Sequence, residues 1–278
     1  MTLLKSARRR IKQLDYRLHR ARLSLKGNGF SDFNEDEIIS RYVGEILPRD
    51  AARFAVDIGA GDGIKRSNTY ALFTKGWKGL GIESDGAKIY KLAKAYRFYP
   101  DVSLCRFHIT PHNVVPLLRA YEVEQEFSLL SLDIDGYDYW VLEELLTHYR
   151  PRIIVSEINE KIPPPIRFVV KFNPDFTLRH HFYGYSIKML EELCRKHRYA
   201  IVNLEYNNVF LVAEEICTVP RLTAEEAYHK GYLDRPDRLE KLPFNRDMEI
   251  LHSLSPEEAL KFLQKFYSKF EGEYEIGI

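Results

Sequence analysis

Oxygen-bearing side chains stand at the ends of two apolar segments in the middle of the chain. Asp133 and Asp135 follow the first segment, and Glu157 and Asn159 follow the second. If both segments are strands of one parallel sheet, their carboxyl ends meet at the edge where α/β proteins bind ligands. Such donors suit hard divalent cations such as Mg²⁺, Ca²⁺ or Mn²⁺. Alternatively, Asp133, Asp135 or a histidine acts as a general base without a metal.

A glycine-rich turn lies nearer the start of the chain. An apolar run from Phe54 reaches Asp57 and then breaks into alternating glycines at positions 59, 61 and 63. Glycine has no Cβ, so the backbone there is able to approach a ligand closely. A dinucleotide-binding turn has its third glycine three residues after the second, and that position here is Ile64. The Gly-x-Gly-x-Gly spacing is instead similar to the turn with which class I methyltransferases bind S-adenosylmethionine.

An acid follows at the distance that such a turn requires. About 24 residues after Gly59, a second short apolar run ends at Glu83, where an acid accepts hydrogen bonds from ribose hydroxyls. We assign this role to Glu83, with Asp85 as the alternative. NAD-binding proteins use the same acid, so the glycine spacing and later residues are what favour S-adenosylmethionine. The expected cofactor-binding set is Asp57, Gly59, Gly61, Asp62, Glu83 and Asp133.

The elements that position these residues alternate between strand and helix patterns from residue 53 onward. This alternation predicts a Rossmann-like, doubly wound α/β fold with a mostly parallel seven-stranded sheet and an antiparallel edge strand. The last two strands flank a hairpin turn at Tyr206-Asn207. The predicted strands cover residues 53–58, 78–83, 102–107, 127–133, 152–157, 200–205 and 208–213. Asp138 is expected to cap the helix after the fourth strand.

A long irregular insertion, residues 159–184, follows the fifth strand. Loops of this length in a compact domain are usually functional or disordered, and its five Phe and Tyr residues between 168 and 183 argue against disorder. We expect an acceptor-binding lid. His180 and His181 are base or ligand candidates, with His181 taken as the catalytic one; the plainer alternative is a hydrogen-bonded histidine.

The N-terminal region, residues 1–29, reads as a basic amphipathic helical arm. Residues 1–26 carry nine Lys or Arg and a single acid, Asp15, so the arm is strongly positive while the rest of the chain is mildly acidic. Apolar residues recur at alternating spacings of three and four from Leu4 to Leu25. The arm is expected to pack on its own domain, to self-associate, or to contact an anionic membrane surface. A nucleic-acid partner is disfavoured, because the body offers no basic groove.

The remaining chain divides into a methyltransferase-type domain, residues 30–213, and a helical C-terminal extension, residues 214–278. Ser255 and Glu258 form a capping box at the start of the last helix. The extension is expected to pack on the body or on a second subunit, so a homo-oligomer would form through the arm or the extension. Hydrophobic content of 45%, charged content of 29% and three scattered cysteines indicate a cytoplasmic protein with reduced thiols. Peripheral contact with the inner face of the membrane is the second option.

Together these motifs resemble class I S-adenosylmethionine-dependent methyltransferases, and more narrowly the branch associated with methylation of bacterial surface glycans and natural-product sugars. The resemblance covers about residues 50–213. It is carried by the segment 57–64 with Ser67-Asn-Thr69, Gly76-Trp-Lys-Gly with Ile82-Glu83, and Leu130 to Trp140. Further matches are Pro151 to Val155 with Glu157-Ile-Asn159, Asn173 to Phe176, and Tyr183-Gly-Tyr-Ser186. The arm and the extension match nothing in that family.

The resemblance implies cofactor binding by Asp57, Gly59, Gly61 and Glu83, with Asp133 and Asp135 in the active site. We therefore expect O-methylation of a sugar or glycan hydroxyl, with Mg²⁺ or another divalent cation as an optional cofactor. The alternatives are methylation of a small metabolite or a protein, a non-catalytic scaffold on the same fold, and an NAD or nucleotide-sugar enzyme.

Overall fold

The computed structural model describes residues 29–278. The predicted basic arm, with its self-association and membrane-binding alternatives, lies outside the described residues apart from Gly29.

Nine strands and nine α-helices make up this part of the chain. The strands are β1 Phe54–Ile58, β2 Lys78–Glu83, β3 Val102–Arg106, β4 Leu129–Leu132, β5 Ile153–Glu157, β6 Arg167–Val170, β7 Tyr199–Glu205, β8 Asn208–Ala213 and β9 Tyr274–Gly277. The helices are α1 Glu35–Glu45, α2 Tyr70–Thr74, α3 Gly86–Tyr96, α4 Val114–Ala120, α5 Asp138–His148, α6 Ile187–His197, α7 Ala224–Tyr228, α8 Arg238–Lys241 and α9 Pro256–Phe266. Across residues 29–278, none of the helices has the length and apolar content needed to cross a bilayer.

The main sheet has seven strands in the order β3-β2-β1-β4-β5-β8-β7. Strand β8 runs antiparallel to both of its neighbours, and every other pairing is parallel. The predicted fold class is thereby confirmed, and each of the seven predicted strands is present with ends shifted by at most two residues. The antiparallel strand is the second from the edge.

The sheet separates two apolar cores. Adjacent strand residues point to opposite faces, and accordingly Ala55 belongs to one core cluster and Val56 to the other. Helices on both faces bury these side chains, which is the doubly wound arrangement. Cys105 and Cys194 are free thiols buried in the protein.

Strand register aligns the functional side chains along the carboxyl edge of the sheet. Ile58 of β1 pairs with Ile82 of β2 and with Leu132 of β4, and Leu132 pairs with Ser156 of β5. The residues that come next along these strands are Gly59, Glu83, Asp133 and Glu157. They therefore stand at one level, as the sequence pattern predicted.

The C-terminal extension packs on the body of the protein and is not entirely helical. Tyr228, Leu263 and Tyr267 share the larger core cluster with strands β4 and β5. The predicted capping box at Ser255 and Glu258 starts α9. The last strand, β9, pairs antiparallel with β6 inside the insertion. The sequence pattern did not indicate this pair, because four-residue strands are too short for an alternating pattern to stand out.

Candidate active site

The glycine turn joins β1 to both of its neighbours. Gly59 has φ +89°, and an ideal Cβ there would lie 1.6 Å from the carbonyl oxygen of Asp133. The backbone N–H groups of Gly59 and Ala60 both donate to the carbonyl of Ile82 at 3.0 Å. Only glycine fits at position 59, because the turn lies against the backbone that leads to the acidic residues.

Gly61 presents an open side of the same turn. It has φ +59°, and no heavy atom lies within 4 Å of an ideal Cβ built on it. Its N–H donates to Oε2 of Glu83 at 2.8 Å. The turn thus brings a side-chain-free stretch of backbone and the acid at the end of β2 together, and these groups fit the predicted cradle for S-adenosylmethionine.

The two acids at the end of β2 and just beyond it have different roles. Glu83 is buried, and its second oxygen accepts the N–H of Asp85 at 2.7 Å. The carboxylate of Asp85 instead caps α3, accepting the N–H groups of Ala87 and Lys88 at 2.7 Å. Of the two, Glu83 lies beside the glycine turn.

The acids within the turn motif are held by the protein itself. Asp57 accepts a 2.6 Å hydrogen bond from Oγ1 of Thr69, and burial raises the pKa of Asp57 to about 6. Asp62 accepts the N–H groups of Ile64 and Lys65 at 3.0 and 2.8 Å. Both side chains stabilise the loop between β1 and α2, so any effect on a cofactor would come through the shape of that loop.

Asp133, Asp135 and Glu157 form a convergent group, hereafter the acidic trio. One carboxylate oxygen from each lies within 4.8 Å of the other two. Asp133 and Asp135 are solvent-accessible and Glu157 is half-buried. Although Asp133 reaches solvent, the surrounding protein limits its hydration, and this desolvation, with the negative charge of Asp135, raises the pKa of Asp133. Desolvation, together with the negative charges of Asp133 and Asp135, raises the pKa of Glu157. Asp133 and Glu157 therefore bind protons more readily than isolated carboxylates do.

The loop after β4 is secured by Asp138. This residue is the first of α5 and does not cap the helix as predicted: its carboxylate accepts the N–H groups of Ile134 and Gly136 at 2.7 and 2.9 Å. The carboxylate thus points back into the loop, where it satisfies these two backbone donors. Asp135, between them, adopts a left-handed backbone with φ +58°.

A chain of polar contacts leads away from Glu157. Nδ2 of Asn207 donates to Oε1 of Glu157 at 2.6 Å, and Nδ2 of Asn208 donates to Oδ1 of Asn207 at 3.5 Å and to Oε1 of Glu35 at 2.8 Å. Glu35 begins α1 and is buried. Sequence reasoning treated Asn207 only as a turn residue, and nothing near it in sequence indicated Glu157 as its partner.

Asn159 is buried, and its amide nitrogen donates to the carbonyls of His181 and Tyr183 at 2.9 and 3.0 Å. Its Oδ1 has no hydrogen-bond partner among residues 29–278. The ring of His181 is buried against the extension, with Nε2 2.9 Å from Oδ2 of Asp247. Asn159 and His181 thus tie the insertion together, while the predicted metal ligands that converge through carboxylates are Asp133, Asp135 and Glu157.

Aromatic side chains of the insertion lie beside the loop of the acidic trio. Phe172 is 4.9 Å from Tyr137, ring centre to ring centre, and Phe176 packs against Gly136. The N–H of Gly184 donates to the carbonyl of Gly136 at 2.8 Å. Phe172 and Phe176 are only half-buried, so part of each ring is exposed beside this loop.

A fully buried ion pair joins the insertion to the extension. Nζ of Lys161 is 3.1 Å from Oε1 of Glu160 and donates to the hydroxyl of Tyr183 at 2.7 Å. Nδ2 of Asn245, from the extension, donates to Oε1 of Glu160 at 2.7 Å, and the hydroxyl of Tyr228 donates to its carbonyl. Sequence reasoning missed this network, because Lys and Glu are almost always surface residues.

No protein-family model matches this chain. No curated protein sequence matches it either. Solved structures do match in fold. They include the CurJ carbon methyltransferase (10% identity, 66% of this chain and 54% of that one, TM-score 0.43). Two others are S-adenosylmethionine-dependent methyltransferases. The one from Aquifex aeolicus is 10% identical over 65% of this chain and 90% of that one, with a TM-score of 0.41. The one from Clostridium acetobutylicum is 11% identical over 72% of this chain and 98% of that one, with a TM-score of 0.42.

This chain spans about half of the CurJ structure. At 10–11% sequence identity, the similarity to these three methyltransferases concerns the fold alone.

Proposed function

We propose that this protein is an S-adenosylmethionine-dependent methyltransferase that methylates a hydroxyl oxygen, with a sugar or glycan as the acceptor. The observation that carries the proposal is the contact between Gly61 and Glu83. It joins a side-chain-free turn after β1 to the acid at the end of β2. Strand β1 neighbours β4, which leads to Asp133 and Asp135 of the acidic trio. The strand order with an antiparallel β8 supports the same conclusion, since class I methyltransferases share it.

When bound at the turn, S-adenosylmethionine would supply a methyl group on a positively charged sulfur. The residues of this chain would orient the two reactants for an in-line displacement. Asp133 would accept the proton of the attacking hydroxyl, and its oxygen would take the methyl group as the methyl–sulfur bond breaks and S-adenosylhomocysteine leaves. The raised pKa of Asp133 suits this role, because a base works best when its pKa lies near the operating pH.

A divalent cation is the second option for activating the hydroxyl. Asp133, Asp135 and Glu157 would hold it, since three carboxylate oxygens within 4.8 Å of one another are the hard donors that Mg²⁺ and Mn²⁺ prefer. The cation would lower the pKa of a hydroxyl bound to it.

The chemistry beside the trio favours a neutral polyhydroxyl acceptor. Ionised carboxylates accept hydrogen bonds and repel anionic groups, so hydroxyl donors suit Asp133 and Asp135. Phe172 and Phe176 offer half-exposed aromatic surface within the same loop cluster, and an aromatic face packs well on the apolar face of a sugar ring. Hydroxyl donors and apolar C–H faces occur together in carbohydrates.

The cofactor assignment is tested by calorimetry with S-adenosylhomocysteine and NAD. We expect S-adenosylhomocysteine to bind and NAD to give no heat. Tighter binding of NAD would overturn the proposal.

Catalysis is tested with a labelled methyl donor against a panel of glycans, small metabolites and proteins, with and without EDTA. Turnover on a glycan, lost in Asp133→Asn, is the expected result. Loss on EDTA and recovery with Mg²⁺ would select the cation over the free base. S-adenosylhomocysteine binding without turnover on any acceptor would instead favour the scaffold alternative.

A further inference from the structure

A second set of metal-binding side chains lies where the insertion meets the C-terminal extension, and it shares no residue with the acidic trio. One ring nitrogen of His180, one of His181 and a carboxylate oxygen of Asp247 all lie within 4.8 Å of one another. His180 and His181 come from the insertion, and Asp247 comes from the irregular helical segment Pro243–Ser253 of the extension.

The protein holds His181 in place from two sides. Its carbonyl accepts a hydrogen bond from Nδ2 of Asn159 at 2.9 Å and from the hydroxyl of Tyr267 at 2.8 Å. Its ring centre lies 3.8 Å from that of His180. The two hydrogen bonds fix the backbone of His181, and its ring Nε2 lies 2.9 Å from Oδ2 of Asp247.

One nitrogen of the buried ring is left without a protein partner. The His181 ring is 1% exposed, and its Nδ1 has no hydrogen-bond partner among the described residues. An unsatisfied buried polar atom costs about 1–3 kcal/mol. Coordination of a metal ion by Nδ1 would give this atom the partner that the described residues do not supply.

Charge at the site also favours a cation. The nearby ammonium of Lys161 is paired with Glu160 at 3.1 Å. Asp247 contributes a negative charge and is 54% exposed, which leaves room for water as a further ligand.

We propose that His180, His181 and Asp247 bind one Zn²⁺ ion that links the insertion to the C-terminal extension. Two imidazoles and one carboxylate are a ligand set that Zn²⁺ accepts, with water in the fourth position. Zinc–ligand distances of about 2.0–2.2 Å place tetrahedral ligands roughly 3.3 Å apart. Small rotamer changes in the exposed side chains of His180 and Asp247 would close the present spacing.

The experiment is calorimetric titration of Zn²⁺ into the full chain after treatment with a chelator. We expect one equivalent to bind and to raise the melting temperature. His180→Ala and Asp247→Asn should each weaken Zn²⁺ binding at least tenfold. Both side chains are exposed, so these variants keep the fold, and circular dichroism verifies this.

Asp135→Asn is the matched control, because it removes one carboxylate from the acidic trio and leaves the histidine site unchanged. It should retain the full Zn²⁺ affinity. Binding abolished by Asp135→Asn, binding unaffected by both His180→Ala and Asp247→Asn, or no binding to the unaltered chain would each overturn the proposal. None of these measurements depends on methyltransferase activity.

Discussion

The side-chain amide of Asn207 donates a 2.6 Å hydrogen bond to Oε1 of Glu157, and this bond orients the one member of the acidic trio that lies on β5. Asn207 sits in the turn between β7 and β8, and its carbonyl also accepts the N–H of Ile158 at 2.8 Å. The turn thus holds both the backbone and the carboxylate at the end of β5.

Replacing Asn207 with alanine should lower kcat about tenfold, since a hydrogen bond to a charged group is worth about 1.5–3 kcal/mol. S-adenosylhomocysteine affinity should stay unchanged, because Glu157 is separated from the glycine turn by β4. Steady-state kinetics and calorimetry measure the two effects. Asn203→Ala, on the same hairpin, is the control, as its side chain bonds only its neighbour Leu204 among the described contacts. Equal losses in the two variants would remove the special role of Asn207.

The Asp135→Asn variant should change the pH dependence of catalysis. Asp133 acts as a base only when deprotonated, so its raised pKa makes kcat/KM increase with pH. The charge of Asp135 contributes to that raised pKa; a neutral amide would lower it and move the acidic limb to lower pH by roughly one unit. A pH–rate profile measures this, with Asp175→Asn, an exposed acid of the insertion, as control. A shift to higher pH would show that Asp133 is not the base.

Gly61→Val should abolish binding of S-adenosylhomocysteine and leave the fold intact. Gly61 and Gly272 both have positive φ, and no atom lies within 4 Å of an ideal Cβ at either position. A side chain at either site carries a similar backbone penalty of about 1–2 kcal/mol. Only the one at position 61 would project into the proposed cradle. Calorimetry on Gly61→Val and on the control Gly272→Val separates the loss of cofactor binding from the backbone penalty. Retained binding in Gly61→Val would exclude this turn as the cofactor site.

Lys161→Met should destabilise the protein by about 3–5 kcal/mol, because it leaves Glu160 buried without its counter-ion. Lys196→Met removes an ion pair with Glu143 at 2.7 Å, in which Lys196 is 60% exposed. Its cost should be at most about 1 kcal/mol. Urea denaturation compares the two variants. The double variant Glu160→Gln with Lys161→Met should recover part of the loss, and no recovery would point to a packing effect.

The seven strands of the main sheet were predictable because each is a short apolar run bounded by turn residues, and the pattern depends on neighbours in sequence. The position of Glu83 beside the glycine turn follows from the same logic, since parallel strands place their carboxyl ends together. The acidic trio combines residues from two such strand ends.

The network around Glu160 and the Asn207 contact were not predictable in this way. Their partners lie far apart in sequence: Asn207 and Glu157 are 50 positions apart, and Asn245 and Glu160 are 85 apart. Burial of Lys161 also runs against the usual behaviour of its residue type. Asp138 was expected to cap a helix, but its carboxylate accepts the backbone N–H groups of Ile134 and Gly136 in the loop before it.

The pairing of β6 with β9 has a consequence for the order of assembly. The partner of β6 arrives more than 100 residues later in the chain, whereas β2 pairs with β1 and β3, its neighbours in sequence. Closing a long loop is entropically unfavourable. The Gly61 turn should therefore form early during refolding, and the part of the insertion that carries Phe172 and Phe176 should form last. Pulse-labelled hydrogen exchange should find the amides of β2 protected before those of β6; the reverse order would contradict this sequence of events.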